Sequence, residues 1–124
     1  MKTPEPPKPL MYFAFSIFKK FNFQNAKELI LCYLAYRAVK DKGDVIYFAP
    51  LKIGKFFKNP SLARKIKNCH IRQILEELDI PYRKYKVCHC VNYVVRRKEL
   101  LKNDVIKNYI KKLLEEGIID GHHR

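Results

Sequence analysis

The sequence predicts a single α+β domain, and three observations predict it. Apolar residues recur at helical spacing in several separate stretches, most clearly at Ile71, Ile74, Leu75 and Leu78. A run rich in β-branched and aromatic residues, Tyr82 to Arg97, follows directly and favours strands. The chain has 124 residues, 48% of them hydrophobic, which is enough for one core but not for two independent ones.

Met1 to Pro9 holds Pro4, Pro6, Pro7 and Pro9, a composition that resists helix and sheet, so residues 1–9 are expected to form a flexible tail. Leu10 to Phe23 is crowded with aromatics. Helical spacing (Phe13, Ile17, Phe21) and strand alternation (Phe13, Phe15, Ile17) both fit it. It lacks the glycine and basic pattern of RNA-binding sheets, so its rings are expected in a core or an interface rather than stacked on bases. No apolar run approaches the roughly 20 residues of a membrane span. Lys19 and Lys20 stand where a signal peptide would need small residues. The chain is therefore expected to be intracellular, with no membrane partner.

Asn25 is placed to cap a helix running to about Lys40, with Glu28 three residues on as in a capping box. From Leu29 to Tyr36 this helix is apolar on every side, so its second face needs a cover, either the aromatic segment or a second copy of the chain. Gly43 suits a left-handed helix end. Val45 to Phe48 has the character of a short strand. Pro50 opens a helix over Leu51 to Phe57, and Asn59-Pro60-Ser61 punctuates it.

Leu62 and Ile66 continue a helical spacing that is out of phase with the Ile71, Leu75, Leu78 stripe. A break near Asn68 explains this, and a single kinked helix from Ser61 to Leu78 is the alternative. Asn68 is positioned to cap the later helix. Lys67, Asn68, His70, Arg72 and Gln73 then cluster near its first turns, largely off the core face. Glu76, Glu77 and Asp79 crowd its other end, so a polyanion would meet the N-terminal half. Ile80-Pro81 stops the helix. Two antiparallel strands joined near Lys86 to Cys90 follow, and Asn103 or Asp104 caps a last helix ending at Gly117. The narrow seam of this helix, Val105, Ile106, Tyr109, Ile110, Leu113 and Leu114, suits one partner helix. Residues 99–117 are thus a candidate dimerisation element, and residues 118–124 a tail.

The 26 Lys and Arg against 12 Asp and Glu give a formal charge of +14, favouring a polyanionic partner. The excess is local. From Lys52 to Lys98 thirteen basic residues face three acids, Glu76, Glu77 and Asp79.

The order helix, strand, helix, helix, hairpin between Asn25 and Arg97 resembles the winged-helix branch of the helix-turn-helix proteins, over about three fifths of the chain. "VIYFAPLKIGKFF" looks like the strand and positioning helix, "NCHIRQILEELDI" like the recognition helix, and "YRKYKVCHCVNYVVRR" like the wing. The whole is similar to small winged-helix regulators of archaeal viruses and plasmids. The resemblance implies a winged helix-turn-helix, a three-helix core with a β-hairpin wing over residues 10–98, plus the N-terminal aromatic segment and the C-terminal helix. It implies a double-stranded DNA-binding protein, a transcriptional regulator of a kind that often works as a homodimer on a two-fold site, with one helix in the major groove and the wing on the backbone phosphates or a neighbouring minor groove. Carried over by position, Lys67, Asn68, His70, Arg72 and Gln73 face DNA, with Arg64 and Lys65 just before them and Arg83, Lys84 and Lys86 on the wing. Two departures stand out. The link from Phe57 to Asn68 is longer than the family's tight turn, and the wing has no Asn-Gly tip.

Arg72 and Gln73 suit guanine and adenine edges, whereas Lys67, Lys84 and Lys86 suit phosphates. Cys69-His70 and Cys88-His89-Cys90 have zinc-ligand chemistry without zinc-ligand spacing, since Cys88 and Cys90 would share one strand face with His89 turned away. Buried or half-buried thiols are expected instead, with a disulfide from Cys69 to Cys88 or Cys90 as the lesser alternative. The scattered acids and four glycines form neither a carboxylate site nor a phosphate loop, so no enzyme, cofactor or metal is expected. Two other functions remain open: a structural or replication-associated protein binding nucleic acid without sequence preference, and a basic module meeting an acidic protein.

Overall fold

A computed structural model of the chain describes residues 22–59 and 61–117. The expectations for the Pro-rich tail, most of the aromatic segment, Pro60 and residues 118–124 lie outside the described residues. The chain folds as α+β, with a three-stranded antiparallel sheet.

Helix α1 (Phe23–Lys40) forms the axis of the core. Its cap is Asn22, whose side chain accepts from the Asn25 N–H at 2.9 Å, so the cap lies three residues before the one expected at Asn25. Phe23 belongs to the helix rather than to the aromatic run before it. The helix closes without the left-handed Gly43 that the sequence suggested. Asp41 leaves in extended conformation, and the Arg97 guanidinium satisfies the Ala38 carbonyl in the last turn at 2.8 Å. Ten of its residues are buried, and its second face is covered from within the chain. The covering elements are α5 (Arg97–Lys102) and α6 (Asp104–Glu115), which pack on α1.

Strand β1 (Val45–Phe48) leads into α2 (Pro50–Phe56), with Pro50 in the first turn as expected. A short helical turn, α3 (Leu62–Lys65), precedes α4 (Asn68–Glu77). Ile66 is extended between them, which explains the phase change and excludes one kinked helix. Both α2 and α4 end in the same way. Lys58 and Asp79 adopt left-handed backbone (φ 55 each), while the next N–H reaches back to Gly54 and Leu75 carbonyls, both at 2.9 Å. The buried Ile80 then packs into the core ahead of Pro81.

The sheet order is β1-β3-β2, with β2 spanning Tyr82–Val87 and β3 Cys90–Arg96. Val87 pairs with Cys90, so only Cys88 and His89 turn the hairpin, both with positive φ (49 and 70). That is a two-residue turn of the primed kind, made without glycine or asparagine. Cys88 is therefore not a strand residue, which corrects the expected Cys88 and Cys90 strand face. Ile46, Phe48, Tyr93 and Val95 lie on one face and are all buried. Their rings and those of α1 and α2 interlock: Tyr33 stands 6.2 Å from Phe48 and 5.2 Å from Phe56, and Phe48 stands 5.8 Å from Tyr93.

The C-terminal region is two helices rather than one. Asn103 breaks them and caps the second, accepting from the N–H groups of Val105 and Ile106 at 3.0 and 3.2 Å. Ile106 and Leu113, the buried part of its seam, face into the shared core, so the partner helix lies in the same chain.

Candidate nucleic-acid interface

The site grows from α4. Setting Ile71, Ile74 and Leu75 into the core turns Cys69, Arg72, Gln73 and Glu76 outward, by the 3.6-residue period alone. The cap is Lys67 rather than Asn68. Among the described residues no side-chain bond from the Lys67 cap reaches the first N–H groups of α4; instead His70, in the third position, turns its ring back and Nδ1 accepts from the Lys67 N–H at 3.2 Å. The bond requires a neutral imidazole. Burial, and behind it the Lys67 charge, hold the His70 pKa below its ordinary value, and the ring rests 5.6 Å from that of Phe23. Asn68 is half-buried and structural. Its carbonyl accepts from the Tyr93 hydroxyl at 3.2 Å, and its own Oδ1 is buried without a partner among the described residues.

The expected site residues fall into groups. Arg64 and Lys65, exposed at the end of α3, meet Lys67 and His70 around a shallow hollow that Asn22 and Phe23 also line. On the other flank of α4, the Arg72 charge acts on the hydroxyls of Tyr82 and Tyr93, which stand on the sheet face toward α4. In the register of the hairpin Tyr82, Lys84 and Lys86 pair with Val95, Tyr93 and Val91, so both lysines share that face and extend it past the core. Arg83 pairs with Val94 and points the other way. The structure thus brings Arg72, Lys84 and Lys86 onto one side and separates Arg83 from them. Gln73 is exposed, and its Nε2 donates to Glu77 Oε2 at 3.2 Å.

Glu76 and Glu77, at the far end of α4, are engaged. Glu77 also accepts from Lys27 Nζ at 3.0 Å, the main reason its pKa lies below the ordinary carboxylate value. Glu76 accepts from the Tyr82 hydroxyl at 2.7 Å, which raises the tyrosine pKa. These contacts join α4 to α1 on one flank and to the hairpin on the other.

Cys69, Cys88 and Cys90 are exposed free thiols, contrary to the expected burial; Cys32 alone is buried, and desolvation raises its pKa to about 12. Cys69 sits mid-way across the outward arc of α4, a place the sequence reading overlooked although the helical period fixes it. Arg97 was counted among the basic residues of the module, but its guanidinium is committed to the end of α1. Among the described residues no three His, Cys, Asp or Glu side chains converge as a metal site would require, and no helix is long and apolar enough to cross a membrane. Compared with protein-family models, with curated proteins and with solved structures, the chain shows no match.

Proposed function

We propose that the chain is a double-stranded DNA-binding protein of winged-helix type, acting as a transcriptional regulator without catalysis. In this reading α4 enters the major groove, which is wide enough for one helix, and the β2–β3 hairpin lies along the backbone as the wing. One observation carries the reading: Arg72 on α4 and Lys84 and Lys86 on the hairpin lie on the same side of the molecule, while Glu76 and Glu77 are tied to neighbouring groups. The hollow at Arg64, Lys65 and Lys67 lies at the start of α4, where the positive end of the helix dipole and the side-chain charges act together on a phosphate. Arg72 and Gln73 are the side chains suited to base edges.

Titration of labelled random duplex, single strand and RNA at several salt concentrations tests this. Duplex is expected to be preferred. Lys84→Ala should weaken all duplexes about equally and lower the salt slope by about one. Arg72→Ala should flatten the discrimination among sequences recovered by selection from random duplexes, at roughly 1–3 kcal/mol for its base pair. Arg83→Ala, on the opposite face, should leave duplex binding nearly unchanged. No duplex preference would defeat the proposal, and binding without sequence discrimination would favour a packaging or replication-associated role.

A further inference from the structure

The sheet has a second face, turned away from α4. Tyr47 and Val45 from β1, Asn92, Val94 and Arg96 from β3, and Arg83 and Tyr85 from β2 alternate onto it. Tyr47 is 45% exposed and Tyr85 40%, among the largest hydrophobic exposures of the described residues. Their rings stand 6.4 Å apart at 86°, so together they form a step with two ring faces at right angles. The Tyr47 backbone is held in place, since its carbonyl accepts from Arg37 Nη1 at 2.8 Å.

Cations surround the step. Lys52 Nζ lies 6.0 Å from the centre of the Tyr47 ring. Tyr47 and Arg83 both pair with Val94, from opposite sides of the central strand, so the two residues flank that strand on the same face. Arg96 follows on the same face, and it and Arg83 line a cleft of ≈ 550 Å³. The acid in that cleft, Glu99, is paired with Lys102 at 3.4 Å.

We propose that this face binds single-stranded nucleic acid, stacking unpaired bases on Tyr47 and Tyr85 while Lys52, Arg83 and Arg96 hold the phosphates. Exposed rings with cations beside them are what a single strand needs, because every base offers a π face and every nucleotide a charge. A duplex keeps its base faces inside the stack, where rings on an open sheet do not reach them. A second copy of this chain is a poorer occupant, since a two-fold contact on this face would bring the cationic rims of two copies together. The proposal is separate from the duplex reading and uses none of its residues except Arg83, which leaves the wing for this site.

Anisotropy titrations of labelled oligo(dT), oligo(U) and a random duplex with the full chain test the assignment. Tyr47→Ala and Tyr85→Ala are each expected to weaken oligonucleotide binding roughly ten-fold, with Tyr85→Phe retaining most of it. Duplex affinity should stay unchanged in all three. Circular dichroism and thermal melting establish that the variants fold, and both substituted side chains are exposed. Undiminished oligonucleotide binding by the folded alanine variants overturns the proposal, as does a wild-type chain that binds no single strand at low salt. Sedimentation adds a further outcome: self-association that both alanine variants abolish, with no change in oligonucleotide binding, assigns the face to a second copy instead. Duplex binding can fail while oligonucleotide binding holds, in which case only the duplex reading falls.

Discussion

At the scale of single residues, His70 couples the start of α4 to pH. Its Nδ1 accepts from the Lys67 N–H only while the ring is neutral, and its pKa is lowered first by burial and then by Lys67. The unfolded chain therefore binds more protons than the folded one as pH falls through the range between the two pKa values. Stability should drop on acidification from pH 7, and the loss should level off only below the folded-state pKa. Glutamine at this position can accept the same bond as in a capping box without titrating. Urea midpoints at about pH 7.5 and pH 5.5, above the range where carboxylates dominate, are expected to differ less for His70→Gln than for the wild type. An equal difference would show that other groups carry the pH dependence. The identity of the helix-starting residues was plain from the sequence, but their roles were not. Asn68 has the side chain of a cap and instead occupies the first helical position, because the phase of Ile71, Ile74 and Leu75 against the core sets where the helix can begin.

At the scale of elements, the hairpin is the least conventional piece. A two-residue turn with positive φ at both positions ordinarily calls for Asn-Gly, and here Cys88 and His89 supply it. Left-handed backbone costs a non-glycine residue roughly 1–2 kcal/mol. The double substitution Cys88→Asn with His89→Gly should therefore stabilise the fold by about 1 kcal/mol or more, read as a raised urea midpoint at unchanged slope. No shift would mean that Cys88 and His89 make compensating contacts. Helix α6 shows the reverse situation. Its seam was legible from residue spacing, whereas its partner was not, since a stripe of this width fits a helix of the same chain as well as one of another. Ile106 and Leu113 are spent on α1, which leaves Val105 and Leu114, each 39% exposed, as the apolar remainder of α6 for any second copy.

At the scale of the whole molecule, a charge of +14 on 124 residues repels itself. The ion pair between Lys27 and Glu77 is solvent-exposed, so screening it costs little. Raising salt from low to physiological ionic strength should therefore raise the thermal midpoint, while the same change weakens any nucleic-acid complex. A midpoint that falls with salt would show that attractive pairs outweigh the repulsion. Periodicity and turn chemistry were enough to place α1, α2, α4, α6 and all three strands to within a few residues, because each depends on which side chains one short segment can bury. Composition likewise determined the basic character of the Lys52 to Lys98 region. What only the tertiary structure decided is which side each charge occupies. The pairing of Lys84 with Tyr93 and of Arg83 with Val94 sends neighbouring cations to opposite faces of the sheet. A strand alternates its side chains by geometry, but the face that becomes core is chosen by contacts with α1 and α4, distant in the chain.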